Sequence, residues 1–204
     1  MLNKYIIEEK TLEKALLKCE KELDATTDKI FYTENYEKGG LLKSSKVILN
    51  VVKKEDVMSF INEYFKKLSK SLNIKINCDI RINEDIIRVN LNSEDASALI
   101  GKNGKMLNSI QVLLKKSIET QTGLNLKVNL DIEGYKERKI EKLEKNIRKI
   151  VKEVLTTKVD VKLDEMNSYE RRIVHNIVSE YENLTSESEG VAPHRYVVIK
   201  YIER

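Results

Sequence analysis

Two small groups of residues in this chain have the types and spacing to hold a polyanion. The first is Gly101-Lys102-Asn103-Gly104, with Ile100 before it and Lys105 after it. Glycine has no Cβ, so a sugar-phosphate backbone can lie directly against the peptide there. A helix that starts at the second glycine aims its free N–H groups and the positive end of its dipole at the same spot. Lys102 and Lys105 add charge where the anion would pass. The plainer alternative is that two glycines only turn the chain between helices. The second group is Arg171, Arg172 and His175, with Arg195 further on. Arg171 and His175 are i and i+4, so one helix face carries both. A guanidinium contacts phosphate and also stacks on a base. An imidazole donates to a phosphate oxygen or fixes the arginine's rotamer. The alternative here is that the pair simply caps or solvates an amphipathic helix.

The elements that must position these groups are legible in the apolar pattern. Residues 1–52 predict a β-α-β-β unit. Its strands lie at Tyr5–Ile7, Ile30–Tyr32 and Lys46–Val52, its helix starts at a Thr11 cap, and Gly39-Gly40 makes a turn. From Val57 to Leu72 the period is helical. It then changes to two, with Ile74, Ile76, Cys78, Ile80 and Ile82 in one strand. Glu84-Asp85 is a turn before Ile87, Val89 and Leu91 in the next strand. Ser93 is expected to cap a short helix through Ala96, Leu99 and Ile100. After the glycines a longer helix has Met106, Ile110, Leu113, Leu114 and Ile118 on its inner face, and Gly123 ends it. A strand follows from Leu124 to Ile132. Leu99, Ile100, Ile110 and Leu113 are expected to line an apolar groove beside the glycine loop.

Beyond Gly134 a long charged helix carries Ile140, Leu143, Ile147, Ile150 and Val154 at 3,4 spacing. This seam either packs on its own domain or pairs two copies. Val159–Leu163 reads as a strand and Met166–Tyr181 as a helix. Thr185–Val191 reads as a polar loop, and Arg195–Ile202 as a closing strand.

Helix-strand-strand-helix-helix-strand with a Gly-x-x-Gly loop resembles the type II KH domain over 53–134. From Ile74 to Gly134 there is no aromatic residue, so base contacts would be aliphatic, unlike an RRM platform. The stretch Met166-Asn167-Ser168-Tyr169-Glu170-Arg171-Arg172-Ile173-Val174-His175, with Ser186-Glu187-Ser188-Glu189-Gly190 and the Arg195 strand, resembles the R-3-H domain, named for its Arg-x-x-x-His motif. In this order the three parts resemble the Jag (SpoIIIJ-associated, KhpB-like) family. The fold class expected is α+β, with three small domains at 1–52, 53–134 and 135–204. The resemblance implies a cytoplasmic bacterial protein that binds single-stranded RNA, with single-stranded DNA as the alternative ligand. It implies an RNA chaperone or regulator linked to cell shape, a small KH-protein partner, and association with a membrane insertase. It also implies that Ile100 to Lys105 and Arg171, Arg172, His175 and Arg195 are the binding residues. The family's Lys-Lys-Gly-Phe-Leu-Gly-type turn is replaced here by Glu37-Lys38-Gly39-Gly40-Leu41-Leu42-Lys43, so no role is carried onto it.

Composition narrows the rest. The net charge of +4 is modest, so only clustering of charge on one face would favour nucleic acid. Cys19 and Cys78 have no CxxC partner, so no zinc site, disulfide or cofactor is expected. No apolar run approaches a membrane span, and Met1–Lys10 lacks a secretory apolar core. The chain holds two histidines, His175 and His194, and has no HExxH, Walker A or GxSxG motif. Catalysis through His175 is therefore disfavoured against binding. An adaptor acting through the N-terminal unit or the helical seam is the competing reading. If Lys102, Lys105, Arg171 and Arg195 each met one phosphate, the salt slope would be about −2.8.

Overall fold

Apolar residues two apart build the first sheet. In the computed structural model, which describes residues 2–38, 45–83 and 85–203, this sheet has three strands. They are β1 (Tyr5–Glu9), β2 (Ile30–Glu37) and β3 (Lys46–Lys53), in the order β1-β3-β2 with both pairings antiparallel. α1 (Leu12–Leu23) starts at Thr11, whose hydroxyl accepts from the Lys14 amide at 3.4 Å. It lays Ala15, Cys19 and Leu23 on Ile7, Val47, Leu49 and Val51. The expected Gly39-Gly40 turn, and with it residues 39–43 of the stretch that departs from the family, lies outside the described residues. So does Glu84.

The second sheet belongs to the same compact unit, which runs to Gly134. α2 (Lys54–Leu72) continues directly from β3. β4 (Ile76–Asn83) and β5 (Ile86–Ser93) follow, then α3 (Ala96–Ile100), a 3-10 turn at Lys102–Gly104, α4 (Lys105–Thr122) and β6 (Lys127–Ile132). The sheet order is β4-β5-β6. β4 and β5 pair antiparallel, while β5 and β6 pair parallel across the helical connection. Ile87, Val89, Leu91, Leu130 and Ile132 face Val57, Ile61 and Phe65 of α2 and the inner side of α4, and all are buried. The two sheets are joined: α2 and α4 contact β3, and the Leu2 amide donates to Gln121 Oε1 at 3.0 Å. Phe31 and its cross-strand neighbour Val52 are buried on the side of β3 away from Val51. The expected boundary at 52/53 falls within this unit, at the end of β3.

Three local expectations change. Asp95, not Ser93, caps α3, accepting from the Ala98 amide at 3.2 Å. Ser93 instead donates to the Lys75 carbonyl at 2.8 Å, closing the strand ends. The inner face of α4 is Leu107, Ile110, Leu114 and Ile118, while Met106 and Leu113 are 49% and 61% exposed. Two apolar stripes about 100° apart overlap in this helix, and only the packing partner selects one. The last strand starts at Lys127, since Leu124 is a buried residue of the preceding turn. Cys78, on the inner side of β4, has its thiol pushed up to about 11 by burial and by the Asp79 charge.

The second unit starts at Tyr135. It contains α5 (Tyr135–Thr157), β7 (Val161–Lys162), α6 (Ser168–Val178), β8 (Leu184–Glu189) and β9 (Tyr196–Tyr201), with an antiparallel sheet in the order β7-β9-β8. The seam of α5 packs inside this unit: Ile147, Val151 and Val154 join Val174, Ile177, Val197 and Ile199, with Leu143 and Ile150 against them. The expected loop at 185–191 is mostly strand. Ser and Glu are weak strand formers alone, but the six residues Leu184–Glu189 pair with β9, and alternation puts Ser186 and Ser188 on one face. Among the described residues no helix is long and apolar enough to cross a membrane.

Candidate nucleic-acid interface

The glycine loop is held open by backbone geometry. Gly101 has φ +66° and Gly104 φ +80°, and Asn103 between them has φ 56°. A Cβ on Gly101 would stand 2.8 Å from Met106 Cβ, so close approach and positive φ both demand glycine there. The Gly101 amide donates to the Ser97 carbonyl at 2.9 Å and the Gly104 amide to the Gly101 carbonyl at 3.2 Å. These bonds close the turn and leave Lys102 and Asn103 exposed at its tip. Gly104, itself buried, is the N-cap of α4. It supplies no side-chain cap, and the first turn of α4 contains no acid. The helix end therefore stays electropositive, with exposed Lys105 beside it. Ile100 is half-buried at the end of α3. The expected apolar groove does not form as drawn. Leu99 and Ile110 are core residues, and the exposed apolar atoms near the loop come from Met106 and, two turns on, Leu113.

The Arg-x-x-x-His face is built from α6, β8 and the entry to β9. Asn167 caps α6 by accepting from the Tyr169 and Glu170 amides at 2.9 and 3.0 Å. Glu170 closes the capping box by accepting from the Asn167 amide at 2.9 Å. The other oxygen of this buried carboxylate pairs with Lys139 of α5 at 2.6 Å. One turn on, His175 Nδ1 meets Ser186 Oγ at 2.7 Å and Nε2 meets Ser188 Oγ at 2.8 Å. One ring nitrogen donates and the other accepts, so the neutral ring bolts α6 to β8. Burial, with the Arg171 charge adding to it, holds the imidazole below its ordinary value. Both ring nitrogens are thus occupied within the protein.

Arg171 donates to the Met166 carbonyl at 3.2 Å, and Arg195 reaches the Ser188 carbonyl at 3.4 Å. Arg195 Nε is buried without a hydrogen-bond partner. Arg172 is exposed. Ser188 thus touches both His175, through its side chain, and Arg195, through its carbonyl. Gly190 (φ +82°) lets the chain double back toward Arg195, since a Cβ there would meet the His194 carbonyl oxygen at 2.4 Å. Sequence reading missed Glu170, although the Asn167-x-x-Glu170 spacing carries the capping-box signal. The pairing of Ser186 and Ser188 with His175 had no such signal, because it needs the strand's register.

Family models match both regions. Residues 58–132 match the KH domain of KhpA/KhpB, and residues 138–201 match the R-3-H domain. RNA-binding protein KhpB of Clostridium symbiosum is 34% identical over 196 residues, covering 93% of this chain and 88% of the relative. The chain belongs to the KhpB family. RNA-binding protein KhpB of Bacillus subtilis (strain 168) is 29% identical over 186 residues, covering 88% of this chain and 89% of that relative. RNA-binding protein KhpB of Streptococcus pneumoniae R6 is 27% identical over 71% of this chain, but only 44% of the relative is covered. The Jag-type resemblance read from the motifs is thereby borne out. The KhpB family's KH model spans the glycine loop, and the R-3-H model spans Arg171 to Arg195. Residues before 58 lie outside both.

Proposed function

We propose that this protein binds single-stranded RNA in the cytoplasm, clamping the sugar-phosphate backbone at the 101–104 turn and along the Arg171, Arg172 and Arg195 face. It is a binding protein, not an enzyme, as the names of its relatives state binding alone. The observation that carries the reading is the turn itself. Three left-handed residues thrust Lys102 and Asn103 outward beside a helix end that has neither a cap nor an acid. Amide donors and lysines there suit phosphate. Met106, Leu113 and Ile100 supply the aliphatic contacts that bases need in a region without aromatics. In the second unit exposed Arg172 meets the strand first, and half-buried Arg195, which donates to the Ser188 carbonyl, adds a second guanidinium to the proposed face. His175 shapes this face rather than touching the ligand.

Fluorescence anisotropy of labelled single-stranded RNA at two salt concentrations tests this. Native protein should bind with a salt slope that flattens by about 0.7 for each phosphate contact removed. Lys102→Asp/Asn103→Asp keeps both glycines and should weaken binding at least tenfold. Native binding that ignores salt would sink the reading. A second reading, an adaptor, draws on Ile6, Leu17 and Tyr36 of the N-terminal sheet and helix, which are 58–65% exposed. The helical seam no longer supports it, because those side chains fill the second core.

A further inference from the structure

Five cations on α5 form a line. Arg138, Lys142, Lys145, Lys149 and Lys152 follow at spacings of four, three, four and three residues, and all are exposed. At about 100° per residue they fall within a band of about 80° and extend about 21 Å along the axis. The buried residues Ile147, Val151 and Val154 lie about 160–220° away around the helix. The stripe is therefore centred on the side opposite the core. Lys139 and Arg148, off the stripe, are held by Glu170 and Glu180. Among the described residues no ion pair engages Lys142, Lys145, Lys149 or Lys152. Arg138 and Lys142, and likewise Lys145 and Lys149, are like charges at i, i+4, which repel in an isolated helix. Glu141 and Glu153 border the stripe without breaking it.

We propose that this stripe is a track for the phosphate backbone of single-stranded RNA, a contact surface additional to the glycine turn and the arginine face; it rests on the RNA-binding reading above. Charge complementarity identifies the occupant. An anionic strand laid along the helix relieves the repulsion between stripe neighbours, and each step of about 4.5–6 Å lets a lysine reach a separate phosphate. The other polyanion, a lipid surface, fits less well. A helix lying on a membrane buries an apolar face in the lipid. The apolar face of α5 is already spent on Val174, Ile177 and Val197, and α5 has no exposed large apolar side chain.

The test uses the full chain. Anisotropy titrations of labelled oligouridine between about 50 and 200 mM salt compare native protein with Lys142→Gln/Lys145→Gln/Lys149→Gln/Lys152→Gln. A control of equal charge change is Lys14→Gln/Lys21→Gln/Lys66→Gln/Lys70→Gln. The substitutions are exposed and keep helix propensity, and circular dichroism checks that each variant folds. If all four stripe lysines meet phosphates, the slope flattens by about 2.8, erasing about 50-fold of salt response over that range, while the control retains it. An unchanged stripe variant, or a control that changes equally, overturns the track and leaves the glycine-turn reading standing. A native protein that fails to bind RNA overturns both. Cosedimentation with phosphatidylglycerol vesicles is the remaining arm. Loss of vesicle binding in the stripe variant, with RNA binding intact, reassigns the stripe to membrane and overturns the proposal.

Discussion

His175 shows how one side chain does structural work inside a binding motif. Its folded proton affinity is depressed by burial and by Arg171, so the unfolded chain binds the proton more readily. Its contribution to stability is complete above the ordinary imidazole value of about 6.5 and is lost as pH falls through the folded value. The second unit should therefore lose stability as pH falls below about 6.5. In His175→Ala that slope should shrink, and stability should drop by about 1–3 kcal/mol at pH 7.5 because Ser186 and Ser188 lose their partner. Urea titration followed by hydrogen exchange at the Val197 amide measures both. Gly101 acts through backbone. Gly101→Ala should cost about 1–2 kcal/mol from the left-handed φ alone, with the contact at Met106 added, and should displace the loop. Lys102→Asp/Asn103→Asp should leave the melting temperature unchanged, since both side chains are exposed and Asp tolerates Asn103's conformation. Thermal melts alongside RNA titrations separate lost folding from lost binding.

At the level of elements, α6 is placed by its first turn. Glu170 both completes the capping box and pairs with Lys139 of α5. Glu170→Gln keeps an acceptor for the Asn167 amide but loses the charge, and Glu170→Ala loses both. We expect about 1–2 kcal/mol of destabilisation for the glutamine variant and about 1 kcal/mol more for alanine. Equal values in chemical denaturation would mean that the cap contributes nothing. α4 carries the corresponding lesson for the glycine loop. Apolar residues stand at both 106/113 and 107/114, and the expected inner face held Met106, Leu113 and Leu114 but not Leu107. The sheet beneath it buried the second pair and left Met106 and Leu113 at the surface near the loop, where an aliphatic contact to a base is useful.

For the whole molecule, the two units have separate cores. A fragment of residues 1–134 should therefore unfold cooperatively by itself, and so should 135–204. Cutting at residue 53 instead should weaken what remains. It strips β3 from α2 and α4 and removes the Leu2 bond to Gln121. We expect 54–134 to melt at least 5 °C below 1–134, which differential scanning calorimetry would show; equal midpoints would make the N-terminal sheet an independent module. The KH and R-3-H modules, the glycine turn, the Arg171–His175 spacing and the element order apart from β8 were all determined by sequence. Periods of 2 and 3.6, positive-φ glycines and i,i+4 neighbours are local rules that need no knowledge of the fold. What tertiary structure decided was everything that depends on a distant partner. It paired a polar Ser-Glu stretch as β8 and set Ser186 and Ser188 on His175. It spent the α5 seam on its own core, chose Asp95 over Ser93 as a cap, and turned five cations of α5 together toward solvent. Each of these follows from which face a neighbouring element covers, and a one-dimensional pattern holds that information only after the chain has folded back on itself.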